Sequence, residues 1–470
     1  GSELFDQYFS INEVLVGYWS GHFFLSLFKF FLPAWLAEKL FLTAYLISFV
    51  YSFRYFVKSL NPANGNFVSY AIFLFAFHSY FVLGYYSFSI AATFLFLGFG
   101  YWIRNKDHFT WKNSLVFMLI LMGLFLSHGL VFAIFGLSFA IYLLIGLVKD
   151  LKADKSNLKR YLSLAPKLLL AVIPAIYFWY TYISHVMSIN STVISPTYTY
   201  GDLIEFLARI RQLVGFRHMK EAYGYVPVFV LFVVLVLARI QRNWKEKQFQ
   251  LFTRKNGLLF GSLAIFALYF LAPDRLSAGN LTNRFGLFFY LLFIAWLSSI
   301  QWKKGLQVVA LFVLFLSMVY TRVTHIKDIT RLDRQAQQIA SLAEHIEPGS
   351  TIDYLQSSSN WIHLHFQLYL ACDKEIVHIM NPQCQGQFPV VWDFEKMPRV
   401  YGNEQAMPFG VNDSYYLNTD SVQLDYISVF NYQSFLNDSL KNADMERVLQ
   451  GFDLKYLSED KSIALFKNQR

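Results

Sequence analysis

Charge is what this sequence has least of. Asp, Glu, Lys and Arg together make up 15% of its 470 residues, against about 25% in an ordinary soluble domain. A chain this poor in charge cannot cover a single aqueous core with polar surface. Cysteine is almost absent as well. Cys372 and Cys384 are the two, which excludes a disulfide framework and any four-cysteine zinc site. Both lie in a polar tail, so one disulfide between them is compatible with an oxidising compartment. Walker A, GxGxxG, HExxH, CxxC and GxSxG signatures in a suitable context are also missing, which leaves nucleotide hydrolysis, zinc proteolysis and serine-triad chemistry without support. No internal repeat or low-complexity tract interrupts the chain, and the sequence, which begins Gly1-Ser2 without a methionine, reads as starting without a signal peptide or downstream of further residues.

What fills the sequence instead is apolar and aromatic. Hydrophobic residues reach 55%, aromatic residues 19%, and mean hydropathy is +0.36. Rings at the ends of apolar runs suit the headgroup zone of a bilayer. The formal net charge of +9 does not point to nucleic acid, because the basic residues sit in short stretches between apolar runs, as orientation signals do.

Those runs predict about ten transmembrane helices, near residues 37–57, 67–84, 86–103, 114–127, 129–148, 164–184, 225–241, 257–272, 286–301 and 306–323. Residues 17–32 are apolar too, but Trp19, His22 and Lys29 interrupt them and Pro33 ends them. They read as an interfacial helix lying along the bilayer. Alternate connections then carry about seventeen Lys and Arg, against about six in the others, so the rich side is expected to be cytoplasmic. The reading divides the chain into a first-loop segment (1–36), a transmembrane domain (37–323) and an extracytoplasmic α/β domain (324–470). In the last, STIDYL, KEIVHIM, FPVVWDF, LDYISVF and FDLKYLS read as strands, with helical stretches near 361–371 and 434–450 and a closing hairpin turning at Glu459-Asp460.

The candidate functional residues gather at the predicted outer helix ends. APDRLSAGNLTNRFG carries Asp274, Arg275, Asn280, Asn283 and Arg284. Two arginines at the mouth of a helix pair suit bidentate bonding to phosphate or pyrophosphate, although headgroup anchoring is the plainer role. GDLIEFLARIRQLVGF places Leu203, Phe206, Leu207, Ile210 and Val214 at helical spacing, as an amphipathic surface helix would. Its Arg209 and Arg211, with Arg217, His218 and Lys220 beyond, would attract an anionic lipid-linked substrate, or simply form a solvated face. Trp19, His22, Tyr85, Tyr86 and His128 complete the set. An ionisable group near a helix end in a membrane is a site candidate, though such a histidine often serves packing. His78 reads as a core residue. No spacing supports a metal site. Asn-x-Ser/Thr triplets start at Asn190, Asn280, Asn412 and Asn437, and matter only in a secretory pathway.

The order of parts resembles the GT-C superfamily of membrane glycosyltransferases, which use polyprenyl-phosphate-linked sugars, and in particular its uncharacterised bacterial branch. WSGHFFLSLFKFFLPAWLAEKLFLTAYLISFVYSFRYFV is similar to the stretch where a juxtamembrane helix leads into the second transmembrane helix, ending in basic residues as Arg54 and Lys58 do here. FVLGYYSFSI, LAPDRLSAGNLTNRFGLFF and QCQGQFPVVWDF are similar to further segments of such proteins. By layout the resemblance covers most of the chain. It departs in one respect: the family's acidic residue of the first extracytoplasmic loop has no match, since neither Asp6 nor Glu13 stands at the expected position and the sequence reads as starting inside that loop.

What the resemblance implies is a membrane enzyme of the bacterial inner membrane and cell envelope. It would move a sugar from a polyprenyl-phosphate donor to an acceptor on the extracytoplasmic side, with or without a divalent metal. Asp274, His22 and His128 are then the candidate catalytic groups, and Arg275, Arg284, Asn283, Arg209, Arg211, Trp19 and Tyr85 the substrate-binding ones. The expected partners are membrane lipid, the lipid-linked sugar and a protein subunit, with no nucleic acid. The alternatives are a non-catalytic subunit or scaffold of a larger complex, and a glycan ligase or transporter.

Overall fold

In a medium without water, long apolar stretches must satisfy their backbone hydrogen bonds internally, which a helix does within one segment. The computed structural model of the chain follows that rule. It describes residues 3–62, 67–189, 198–216, 218–246, 253–272, 280–358, 360–379, 384, 386–393 and 424–469. Among these, seven helices are long and apolar enough to cross a membrane: Ala34–Leu60, Tyr86–His108, Gly129–Ala153, Asn157–Ser188, Met219–Lys245, Leu281–Ser298 and Lys304–His345. Phe67–Val82 and Trp111–Ser127 are shorter apolar segments, and Arg254–Leu271 is a further apolar helix. Each run read from the sequence therefore lands on helical structure. One is not continuous: 67–84 breaks into Phe67–Ala71, Ile72–Phe75 and Ser79–Val82. His78 caps the last piece, its Nδ1 accepting from Phe81 N at 3.2 Å, while Nε2 meets Tyr45 Oη at 3.3 Å. His78 is thus a satisfied core residue.

The segment after Tyr18 forms the helix Trp19–Lys29. Its 11 residues rise about 16 Å, roughly half the thickness of a hydrocarbon core. The loop segment read as one amphipathic helix is instead Tyr200–Ala208 followed by a separate turn, Arg211–Leu213. Ile210 breaks it with φ 44°, while Leu203, Leu207 and Ile210 are buried as their spacing predicts.

Contacts divide the chain into two units, one of residues 14–31 and 37–325, the other of 1–13, 32–36 and 326–470. In the first, Tyr86–Asn105 and Leu281–Ser298 are buried on nearly every face, so they form its core. Phe49, Phe53 and Phe56 of the helix Ala34–Leu60 pack on Phe96 and Phe99, with ring centroids 5.1 to 5.4 Å apart for Phe53–Phe96, Phe56–Phe99 and Phe49–Phe96. Outer helices are two-sided. Asn157–Ile189 buries Leu164, Ala171, Ala175, Tyr182 and Val186 and exposes Leu162, Leu169, Ile173, Tyr177 and Tyr180. An exposed stripe of that size is unfavourable in water and suits lipid.

The connections rich in basic residues converge. Arg254 pairs with Asp150 at 2.5 Å, Arg160 bonds Asp107, and Lys106 pairs with Asp107 at 2.8 Å. Lys255 and Arg242 donate to the carbonyls of Ser299 and Gln301 at the end of Leu281–Ser298, where cations complement the helix dipole.

The second unit holds a five-stranded mixed sheet. Its strands are Thr351–Gln356, Val377–His378, Tyr426–Phe430, Phe452–Leu457 and Ile463–Asn468. Numbered in that order as β1 to β5, they lie 2-1-3-5-4, with β2, β1 and β3 parallel and the β4–β5 hairpin antiparallel. The stretch Val390–Trp392, read as a strand, does not join this sheet. It pairs antiparallel with Phe9–Ile11, a partner that its own sequence does not advertise. Cys384 carries a free thiol, so the disulfide considered from the sequence is not formed. Burial pushes the Cys384 thiol up to about 12.

Candidate functional site

His128 sits at the break between the helices Trp111–Ser127 and Gly129–Ala153, in extended backbone with φ −166°. The chain before Trp19 is laid against this break. Gly17 allows this close approach, since a β-carbon there would lie 3.3 Å from Gly129 N and 3.4 Å from the Phe125 carbonyl. Tyr18 follows with φ 71°, its N–H donating to the Ser127 carbonyl at 3.2 Å and its ring edge-on to His128 at 4.9 Å. Ser87 holds the turn from the other side. Its Oγ donates to the Tyr18 carbonyl at 2.8 Å and accepts from Gly21 N at 2.9 Å.

Arg284 enters from the first turn of Leu281–Ser298. Asn280 precedes that helix at φ 53°, and its carbonyl accepts from Tyr80 Oη at 2.9 Å. The guanidinium lies 3.4 Å from His128 Nε2, 5.5 Å from the ring centres of Tyr80 and Phe88, and 6.0 Å from that of Tyr85. Arg284 is 5% exposed and His128 1%. Ring faces compensate part of the buried charge. Among the described residues no carboxylate pairs with it, and a buried charge without a counter-ion is strongly unfavourable.

The orphaned atoms define the chemistry. A guanidinium has no acceptor, so the Nε2 that faces it must accept, and the proton of a neutral His128 then belongs on Nδ1. His128 Nδ1 and Arg284 Nε are both buried without a hydrogen-bond partner. The unused Arg284 Nε, a donor of a buried cation in the first turn of a helix, is a setting for an anion, while His128 Nδ1 lies on the ring edge away from the guanidinium that faces Nε2. Asn283 Oδ1 and Trp19 Nε1 are also buried and unpartnered.

The residues singled out from the sequence are dispersed. Arg284, His128 and Tyr85 come together, with Trp19 next to Tyr18 in the chain and Asn283 next to Arg284. Tyr86 bonds Glu38. No described contact joins His22 to the group, and burial holds its imidazole below the ordinary range. Arg209 pairs with Glu205 at 2.6 Å. Arg211 lies 3.9 Å over the Phe206 ring and 5.4 Å over Tyr198. Both cations are thus engaged elsewhere. Asp274 and Arg275 fall outside the described residues, as do Arg217, Asn190 and Asn412. Tyr18, Tyr80 and Phe88 went unnoticed in the sequence, because 30 Tyr and 50 Phe leave a single ring no prominence. Gln212 was missed for a different reason. Fully buried, with both amide atoms unpartnered, it lies where a β-carbon on Gly286 would come within 2.1 Å of its Nε2, and no spacing signals that pairing. Among the described residues, no group of three or more His, Cys, Asp or Glu is placed to hold a metal ion.

Fold and site together define a helical protein with helices long and apolar enough to cross a membrane and a buried cationic cluster at the ends of its core helices. No family model and no curated protein matches the chain.

Proposed function

We propose that the Arg284–His128 cluster binds the phosphate of a lipid-linked substrate, and that the chain is a GT-C-like glycosyltransferase using a polyprenyl-phosphate sugar on the extracytoplasmic side. The observation that supports the reading is the buried Arg284 guanidinium, whose Nε is an orphaned donor and which has no carboxylate among the described residues. In the transfer, an acceptor hydroxyl oxygen attacks the anomeric carbon as the bond from that carbon to the phosphate oxygen breaks. The electron pair leaves on the polyprenyl phosphate, and Arg284 stabilises the negative charge that develops there. The acceptor's proton passes to a base. Asp274, seven residues before Leu281 and next to Arg275 in the sequence, is the candidate carboxylate for that role. The second reading is a lipid-phosphate-binding subunit without transfer activity. It is favoured by the same scarcity of carboxylates at the described cluster.

Farnesyl phosphate and farnesol, titrated against the full chain in lipid nanodiscs, test the anion site. The phosphate should bind more tightly than the alcohol, and Arg284→Leu should weaken it by about 10- to 100-fold, since hydrogen bonds to charged groups contribute about 1.5–3 kcal/mol. Equal binding of the two ligands, or an unchanged affinity in Arg284→Leu, would refute the site. A polyprenyl-phosphate sugar that binds through Arg284 without turnover would select the non-catalytic reading.

A further inference from the structure

The sheet of the second unit has a feature that the membrane site does not use. Strand β1 is flanked by the two strands that follow it, β2 on one side and β3 on the other, all parallel. In open α/β sheets this 2-1-3 order places a crevice at the carboxyl ends of β1 and β3, where successive connections leave in opposite directions and ligands characteristically bind. Here those ends are Gln356 and Phe430, which face each other in the ladder.

One face of the sheet at this point is lined with unsatisfied neutral polar groups. Gln356 is 5% exposed and neither atom of its carboxamide has a partner. Ser428 and Phe430 stand two apart on β3, so their side chains share a face, and register partners place Gln356 beside Phe430. The crossover Trp361–Ala371 covers them. Gln367, fully buried, accepts from Ser428 Oγ at 2.9 Å through Oε1 and leaves Nε2 unpartnered. The His363 ring is edge-on to Phe430 at 5.0 Å, with Nδ1 2.7 Å from Ser358 Oγ and Nε2 unpartnered. At the rim, Ser357 Oγ lies 3.1 Å from Ser434 Oγ and accepts from Lys441 Nζ at 3.1 Å, and Asn431 donates to the Ser357 carbonyl at 2.9 Å.

The character of these orphans differs from that of the membrane cluster. Gln356 supplies an unused acceptor as well as donors, Gln367 a donor, and the His363 Nε2 can serve as either. The neighbouring cations are matched by carboxylates: Lys441 by Asp438 at 3.6 Å and Arg331 by Asp328 at 3.5 Å. An uncharged site offering both donors and acceptors fits hydroxyl groups, each of which donates and accepts. Leaving such atoms buried and unpaired destabilises a fold by about 1–3 kcal/mol each, so their concentration at the switch point is unlike ordinary packing.

We propose that Gln356, His363 and Gln367 form a binding site for a neutral sugar at the carboxyl ends of β1 and β3. The site is independent of phosphate binding at Arg284, since its ligand carries no charge. Saturation-transfer NMR on the full chain in nanodiscs tests it with glucose, galactose, mannose and N-acetylglucosamine, and with inorganic phosphate as the anionic comparison. At least one sugar should saturate below about 50 mM and slow backbone hydrogen exchange over residues 356–367. Gln356→Leu should weaken that sugar at least tenfold while leaving the melting temperature unchanged or raised, because it removes an orphaned amide. A structural role would instead lower the melting temperature. Should Gln356→Leu fail to fold, Gln367→Leu and the exchange protection in the unaltered chain carry the same reading. The proposal is overturned if no sugar saturates, if phosphate alone binds, if protection falls outside 356–367, or if Gln356→Leu binds sugar as the unaltered chain does.

Discussion

Arg284 and His363 show how burial fixes the behaviour of single ionisable groups. Arg284 stays charged at any ordinary pH, so its burial calls for a counter-anion rather than for neutralisation. His363 takes the other course. Burial, with Arg331 nearby, lowers its pKa to about 4. The unfolded chain, with an ordinary histidine near 6.5, therefore binds more protons than the folded one between pH 6.5 and 4. The stabilisation from keeping His363 neutral is complete above that window and is lost as pH falls through it. Thermal melts of the full chain at pH 7 and pH 5 should show a decrease of a few degrees, and His363→Gln should remove part of that decrease. An identical pH dependence in the variant would show that His363 does not titrate across this window. At this scale the sequence was half legible. An Arg and a His at the ends of apolar runs stand out against 15% charge, whereas Gln356 and Gln367 do not, because an orphaned amide is visible only once its surroundings are folded.

Helices were the most readable elements, since a long apolar run leaves the backbone little alternative. Where the reading erred, a local break decided. His78 capped a new helix inside 67–84, and Ile210 turned left-handed inside the amphipathic segment. The three-residue strand Phe9–Ile11 was invisible because it depends on a partner more than 370 positions away. Seating of Trp19–Lys29 belongs to this scale too. Its first turn hangs on Ser87 Oγ, which serves Gly21 N and the Tyr18 carbonyl together. Ser87→Ala removes both bonds at a buried position and should destabilise the protein by about 1–2 kcal/mol. Faster hydrogen exchange at residues 18–22, localised beside an otherwise protected Tyr86–Asn105 helix, would identify the cause. Unaltered exchange there would show that packing alone seats this helix.

Polarity across the bilayer is the property of the whole molecule on which the proposed function turns. Within the first unit, the connections carrying Lys106, Arg160, Arg254 and Lys255 gather around Asp107, Asp150 and Ser299, as the alternation of basic loops anticipates. In the orientation proposed from the charge rule, that end faces the cytoplasm. In a background with both cysteines changed to serine, a cysteine at Lys155 should react with an impermeant maleimide only after the membrane is opened. One at Glu459 should react in intact cells. The reverse pattern would invert every helix and withdraw the extracytoplasmic reaction. The helical membrane class was evident from composition, while the substrate depends on side-chain arrangements that composition does not encode.

The pairing of Phe9–Ile11 with Val390–Trp392, sealed by Asn12 donating to the Gly386 and Phe388 carbonyls, has a practical corollary for dissecting the protein. A fragment cut out at residue 324 would forfeit a β-partner encoded at the opposite terminus, baring a hydrogen-bonding edge prone to self-association. Splicing residues 3–13 onto such a fragment, or supplying them as a separate peptide, restores the missing ladder.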